Sequence, residues 1–443
     1  MTTRPSNVLT CISLSLAILT GLTPIAQADP LAGTGETVVV IDPTGIDVTH
    51  LELSDHVVEE VCITVANLCP DGSNLQVGKG AAAPIFDSDG NFKFLSGSHG
   101  TEVASVAVGK TVGIAPGASI IAIRAPTDVY IAFKWIADHA QQYKIASVVY
   151  SAGSVRSANK RRQDPCDLVY SQATAAGPLY FSTLFAQLRT MGIAIVIASG
   201  NDSELVDIGW PACITGVVSV GARWKDTMRL DGLSNSSPGL SLLAPDGVRV
   251  ASVGPSGVHG YEDNAAGTSM SAPYVAGAVA ILKASYPALT VDQEIAVLRT
   301  TGMPIDDEIV KQIPAVNLSA ALAFLSSGKT IPSLASTFVT QMASVNQTKG
   351  LEGAKIINSL TNDLAELKSK LQSLQDSNAL HKTQLSAIQT ANESLTAQLA
   401  SSAHVSPTST PDTPISTITC TKGNAIFKIS ATKPICPSGY KKK

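Results

Sequence analysis

Val38-Val39-Val40-Ile41-Asp42, running on into Pro43-Thr44-Gly45-Ile46-Asp47, decides how this chain is read. A short aliphatic run that stops at turn-forming residues reads as a buried strand. A carboxylate at the end of such a strand is costly unless something pairs with it. Taken alone, Asp42 is an acid capping the turn. Similar runs recur at Ile120–Ile123, Val148–Tyr150, Ile193–Ile197 and Val217–Val220, with helix-like stretches at Val129–Tyr143 and Ser171–Arg189 among them. Strand alternating with helix from about residue 37 to 327 implies an α/β fold, a mostly parallel sheet with helices on both faces. Such sheets place their chemistry at the carboxyl ends of the strands, and there the polar residues interrupt these runs.

Composition bounds the function. Of 443 residues, 44% are apolar and 15% charged, against roughly a quarter charged in ordinary soluble domains. Bulk disorder is excluded, because disordered chains are poor in aliphatic residues and rich in charge. The net charge of −4 argues against a nucleic-acid binder, which needs a basic face. That average hides an asymmetry: residues 29–327 carry −11, residues 328–419 balance, and residues 420–443 carry +6.

Residues 1–28 read as a secretory signal peptide, with Arg4 in the n-region, an apolar Val8–Leu22 and the small-x-small site Ala26-Gln27-Ala28. The apolar run falls short of the ~20 residues of a membrane span. The expected location is therefore secreted, extracellular or cell-surface associated. Outside residues 1–28 six cysteines remain, which allow 15 pairings in an oxidising compartment. Spacing favours Cys62–Cys69 and Cys420–Cys436, leaving Cys166 with Cys213. No CxxC or clustered His supports a metal site.

Beyond a main domain at 29–327, residues 328–348 are Ser/Thr-rich and read as a linker. Residues 349–400 then place Ile357, Leu360, Leu364, Leu367, Leu371, Leu374, Asn378, His381, Leu385, Ile388, Asn392, Leu395 and Leu399 in strict 3-4 spacing. That is a long coiled-coil helix and implies a homo-oligomer; Asn378 and Asn392 at a positions favour a parallel, in-register pairing. A lone helix folded back on the main domain is the other reading. Residues 401–419 form a Ser/Thr/Pro linker, and residues 420–443 a small disulfide hairpin ending in Lys441-Lys442-Lys443. Such a tail fits contact with an anionic cell envelope, or simply a solvated terminus.

Three blocks carry reactive groups: Asp42 at its strand end, His99-Gly100-Thr101-Glu102-Val103-Ala104, and Gly267-Thr268-Ser269-Met270-Ser271-Ala272-Pro273. Singly, His99 is an exposed helix-terminal histidine and Ser269 an N-cap. Together they give Asp, His and Ser in the chain order of one known catalytic triad. The blocks closely resemble the signatures of the subtilase family, the subtilisin-like serine proteases, over about residues 37–327. Pro43 before Thr44-Gly45, and Glu102 where the family commonly has a second His, are departures that remove no catalytic group.

The resemblance implies a subtilisin-like endopeptidase acting on proteins or peptides through an acyl-enzyme. Asp42, His99 and Ser269 would be the triad, and Asn201, closing Ile197-Ala198-Ser199-Gly200-Asn201, the oxyanion donor. It also implies substrate contacts from Ser151, Ala152 and Gly153, which would pair with an extended peptide, and from Ala198, Ser199 and Gly200. Gly209, in Gly209-Trp210-Pro211-Ala212, would floor the S1 pocket and leave room for a large apolar P1 residue. Loops near Cys166 and Cys213 approach each other in related proteins, which implies the same pair as the spacing. No cofactor is required for the chemistry. Structural calcium at Asp87-Ser88-Asp89-Gly90-Asn91 is not supported, since that segment reads better as a glycine turn. Two other readings stay open: a maturation protease with one cognate substrate, and a catalytically silent surface protein on the same fold. The silent protein would be marked by a lost triad or oxyanion residue, and none is lost.

Overall fold

The computed structural model describes residues 32–93, 97–153, 166, 171–174, 177–308, 310, 312–343, 350–402, 415–422, 425–431 and 433–443. The segment read as a signal peptide lies outside them. Residues 1–357 and 358–443 form two compact units.

In the first unit the chain runs β1 (Thr37–Asp42), β2 (Val57–Ile63), β3 (Leu75–Val77), α1 (His99–Val108), β4 (Ser119–Arg124), α2 (Val129–His139), β5 (Ile145–Tyr150), β6 (Ser171–Thr174) and β7 (Gly177–Tyr180). It continues with α3 (Phe181–Thr190), β8 (Ala194–Ala198), β9 (Val218–Trp224), β10 (Leu242–Asp246), β11 (Val248–Val253), β12 (His259–Ala265), α4 (Thr268–Ser285), α5 (Val291–Thr301), β13 (Met303–Ile305), β14 (Ile313–Ala315), α6 (Leu318–Ser326) and α7 (Leu334–Ala343). Ten strands make one sheet in the order β13-β14-β10-β9-β8-β5-β1-β4-β2-β3. It is parallel from β14 through β2, with antiparallel β13 and β3 at its edges.

The aliphatic runs are unbroken because both faces are covered. On one face Val38, Val40, Ile120, Val149 and Val196 pack against Val103 and Ala107 of α1 and Val275 and Val279 of α4. On the other, Val39, Ile41, Ile121, Val148 and Ile195 pack against Phe133 and Ile136 of α2 and Phe185 and Leu188 of α3. This is the two-residue alternation of a strand, with apolar partners on both sides. Helix α4 comes close because it is built of small residues: a Cβ on Gly277 would lie 2.8 Å from the Ala107 carbonyl oxygen of α1. Strand order reverses about β1, so β4 and β2 lie on one side and β5, β8, β9 and β10 on the other. The carboxyl end of β1 is thus a topological switch point, where open α/β sheets form their sites.

Several expectations need correction. Ser171–Arg189 is not one helix: Gly177 and Pro178 oppose a helical turn, and Ser171–Thr174 pairs antiparallel with Gly177–Tyr180 as β6 and β7 before α3 begins at Phe181. Residues 328–348 are not all linker, because Leu334–Ala343 is α7. Leu334 packs on the core, and Phe338 lies 3.6 Å under the Arg299 guanidinium, which also donates to Thr337 Oγ1 at 2.8 Å. Strands β2 and β10 escaped the aliphatic pattern because Glu59 and Glu60, and Pro245 and Asp246, interrupt their runs. Buried Glu60 is satisfied by the Gly80 N–H at 3.0 Å.

Helix α8 (Gly350–Ser402), most of it in the second unit, has 53 residues and is ~80 Å long at 1.5 Å per residue. Its seam side chains Leu371, Leu374, Leu385, Ile388 and Leu395 are all more than half exposed. Strands β15 (Ser416–Lys422), β16 (Ala425–Ala431) and β17 (Lys441–Lys442) form a small antiparallel sheet in the order β16-β15-β17. The second linker is therefore shorter than 401–419. The lysine tail is a third strand and not a loose terminus, with Lys443 N–H donating to the Thr419 carbonyl at 2.9 Å. All three expected disulfides are formed, Cys62–Cys69, Cys166–Cys213 and Cys420–Cys436. Among the described residues, no helix is long and apolar enough to cross a membrane.

Candidate active site

Asp42 ends β1 with its carboxylate wholly buried. Oδ1 accepts the Thr44 N–H at 2.8 Å and the Thr44 hydroxyl at 2.6 Å, so the turn that follows holds one oxygen still. The other oxygen, Oδ2, lies 2.7 Å from His99 Nδ1. A carboxylate only accepts, so the imidazole carries its proton on Nδ1 and leaves Nε2 as a base. Burial alone would push the His99 pKa down, but the charge and hydrogen bond of Asp42, with help from Glu102, raise it above 6.5.

His99 opens α1, and three long-range bonds hold that helix end. The Val253 N–H of β11 donates to Ser98 Oγ at 2.8 Å, the Asp47 N–H to Thr101 Oγ1 at 2.9 Å, and the Gly100 N–H to Thr44 Oγ1 at 3.3 Å. Gly100 admits no side chain, because a Cβ there would lie 2.2 Å from the Gly45 carbonyl oxygen and 2.8 Å from Asp42 Cβ. The absence of a side chain lets α1 and β1 close to hydrogen-bond range.

Ser269 lies in the first turn of α4, next to the end of β5, whose Tyr150 is paired with Ile41 of β1. Pro273 lacks the N–H that would bond the Ser269 carbonyl four residues back. That carbonyl instead accepts the Ser151 hydroxyl at 3.0 Å, and the Ser269 hydroxyl donates to the Ser151 carbonyl at 3.1 Å. The pair pins the start of α4 to the end of β5. In this arrangement the Ser269 hydroxyl bonds to Ser151, not to His99.

Asn201 follows β8. Its Oδ1 accepts both the N–H and the hydroxyl of Thr268, each at 2.9 Å. Two donors on one atom settle the amide orientation, so Nδ2–H is the edge left for a ligand. Gly267, at φ +97°, leaves the space, since a Cβ would lie 3.1 Å from Asn201 Nδ2. The Ser269 N–H has no acceptor among the described residues. Asn201 is thus tied to Thr268, the residue before Ser269, at a helix N-terminus, which favours negative charge.

The expected substrate residues divide. Ala152 and Gly153 follow β5, the first half-buried and the second exposed, whereas the hydroxyl and the carbonyl of Ser151 are both engaged by Ser269. Gly153 must be glycine, because a Cβ would lie 2.3 Å from the Trp210 carbonyl oxygen. Ala198 and Gly200 are partly exposed. Ser199 is a correction: it is wholly buried, donates its hydroxyl to the Asn235 carbonyl at 2.9 Å, and accepts the Gly209 N–H at 2.7 Å. Gly209 is itself buried, and its carbonyl accepts the Cys213 N–H at 3.2 Å, which ties this segment to the Cys166–Cys213 bridge.

Asn235 was missed. Its side chain accepts the N–H groups of Asp202 and Glu204 and donates to the Ser199 carbonyl and Asp202 Oδ2, so it braces the loop bearing Asn201. The polar run Ser234-Asn235-Ser236-Ser237 was the only sequence signal. In the 87–91 segment, Asp87 Oδ1 accepts the N–H groups of Asp89 and Asn91, both at 2.9 Å, in a turn between the bridged residues Phe86 and Phe92. Among the described residues, no group of three His, Cys, Asp or Glu has metal-holding geometry.

With this geometry established, comparison with known proteins identifies the class. The subtilase family matches residues 33–313, and the chain belongs to that family. Subtilisin-like protease 1 of Arthroderma otae is 29% identical over 269 residues, covering 58% of this chain and 44% of that protein. Its counterpart from Trichophyton verrucosum is 30% identical over 264 residues, covering 58% of this chain and 54% of its own. The chain spans about half the length of these relatives. A solved protease from Pseudoalteromonas arctica PAMC 21717 shares the fold, with a TM-score of 0.51 and 21% identity over 66% of this chain and 91% of that one.

Proposed function

We propose that this protein is a secreted subtilisin-like serine endopeptidase in which Asp42, His99 and Ser269 are the triad and Asn201 the oxyanion donor. The observation that carries the reading is the 2.7 Å Asp42–His99 bond, beside the α4 terminus that bears Ser269. The Ser269 hydroxyl leaves Ser151, gives its proton to His99 Nε2 and bonds to the scissile carbonyl carbon. The oxygen takes negative charge between Asn201 Nδ2–H and the Ser269 N–H, and Asp42 stabilises the imidazolium. His99 then protonates the leaving amine, and water releases the acyl group by the same steps in reverse. Residues 152–153 offer a backbone edge to an extended peptide, which reads main chain more than side chain. No group beyond these is needed for the chemistry.

The test is to incubate the purified protein and a Ser269→Ala variant with casein and with a fluorophosphonate probe. Cleavage and labelling by the parent alone support the reading; equal behaviour of the two ends it. Secretion is supported by the Arg4, Val8–Leu22 and Ala26-Gln27-Ala28 pattern; exported protein beginning at Asp29 is the check. Self-association of α8 through its exposed leucine seam is supported by the heptads and by Asn378 and Asn392. Light scattering of the full chain should give an oligomer that Leu371→Glu with Leu385→Glu dissociates.

A further inference from the structure

We propose that Asp246 is a positioning residue for the nucleophile, acting through Gly267 to hold the turn that presents Ser269. The inference rests on the reading of Ser269 as nucleophile. Asp246 ends β10 at the same carboxyl end of the parallel strands as Asp42, Ser151 and Asn201, and it is wholly buried. Its Oδ2 accepts the Gly267 N–H at 2.7 Å, while Oδ1 has no hydrogen-bond partner among the described residues.

The geometry explains why this bond bears on Ser269. Helix α4 starts from Gly267 at φ +97° and ψ 167°, a conformation essentially closed to other residues. A glycine has no side chain with which to cap a helix, so the first amides of α4 depend on neighbouring strands. Asp246 takes the Gly267 N–H, and Asn201 takes the Thr268 N–H. The next free amide is that of Ser269. A second tether lies beside the first, for the Ser271 hydroxyl donates to the β10 carbonyl of Ala244 at 3.0 Å. The turn is therefore held at residues 267, 268, 269 and 271, and Asp246 supplies the only ionised anchor of the four.

Three other charged or titratable groups act in this pocket: Arg223 of β9, Asp231 after β9, and Tyr274 of α4, which couples to Arg223. Burial, with the charge of Asp231, raises the Asp246 pKa to about 6, against the opposing pull of the Gly267 bond and Arg223. At pH 8 the carboxylate is ionised and its bond to Gly267 is charge-assisted, the stronger kind. A buried anion with no salt bridge among the described residues, and only the more distant charge of Arg223 to offset it, is expensive, which fits a role beyond packing.

The experiment compares full-length parent, Asp246→Ala, Asp246→Asn and Ser269→Ala at pH 8, with active sites counted by fluorophosphonate titration. Expected for Asp246→Ala is a loss of about tenfold or more in kcat per titrated site, with KM within about twofold, the pattern of an interaction used in the transition state. Asp246→Asn, which keeps an acceptor oxygen, should recover to within about threefold of the parent. Parent kcat per titrated site in Asp246→Ala, or equal impairment of the Ala and Asn variants, would overturn the proposal. Parent and Ser269→Ala behaving alike would instead remove the protease reading on which it rests.

Discussion

Replacing Gly100 by alanine tests whether the close approach of α1 to β1 sets the geometry of the proposed catalytic pair. The added carbon would lie 2.2 Å from the Gly45 carbonyl oxygen, 2.8 Å from Asp42 Cβ and 3.0 Å from Asp42 Cγ, where ordinary contact begins near 3.4 Å. An overlap of roughly 1 Å must be relieved by movement. Gly45 cannot retreat, because its own Cβ position is 2.8 Å from the Pro84 backbone and the Ile46 N–H is bonded to the Ala82 carbonyl. The movement therefore falls on Asp42 or on the start of α1, and it lengthens the 2.7 Å bond to His99. A misplacement near 1 Å costs on the order of 10²-fold in rate, and overpacking costs about 1–3 kcal/mol of stability. Gly232→Ala is the control, since nothing lies within 4 Å of its Cβ position; it should stay within about 0.5 kcal/mol of the parent. The assay is kcat per fluorophosphonate-titrated site on a chromogenic peptide, with denaturant unfolding alongside. A Gly100→Ala variant within about threefold of the parent kcat would refute the reasoning, because the motif glycine would then not be required by this contact.

Other perturbations follow from the same geometry. With the His99 pKa raised above 6.5 by Asp42, kcat/KM should rise with pH through an ionisation above that value as the base loses its proton. Asp42→Asn leaves burial to dominate, so the limb should move downward and the rate fall on the order of 10⁴-fold; an unmoved limb would contradict the assignment. Glu294 of α5 is wholly buried, 3.3 Å from Lys283, and burial raises its pKa to about 7. Its folded pKa exceeds the unfolded value, so stability should fall as pH rises from about 4.5 through about 7. Glu294→Gln should gain on the order of 3 kcal/mol at pH 8 and nothing below pH 4. Denaturant midpoints differing equally at both pH values would exclude this account. The Cys166–Cys213 bridge spans 47 residues and Cys62–Cys69 spans 7. Chain entropy assigns them about 4 and about 2 kcal/mol, so the double-serine variant of the first should unfold at the lower denaturant concentration; the reverse order would show that native strain or packing outweighs loop closure.

The sequence by itself determined the α/β class and the order of the candidate reactive blocks. Each is a local signal: Val38–Ile41 is unbroken because both its faces are buried, and the turns at Asp42, His99 and Ser269 each occupy a few consecutive residues. Local pattern misled where a tertiary contact overrode it. Glu60 looked too polar for a strand until Gly80 bonded it, residues 334–343 looked like linker until Phe338 met Arg299, and the lysine tail looked free until it paired with β15. Only the tertiary structure decided which groups meet. Asp42 reaches His99 across 57 residues, Asn201 reaches Thr268 across 67, and Asp246 reaches Gly267 across 21. Such pairs leave no periodic trace in the chain, because they are set by strand order reversing about β1 and by glycines whose missing side chains let backbones close. The chain thus announced its candidate site residues, whereas their distances, the direction of the Asn201 amide and the buried anchor at Asp246 came from packing.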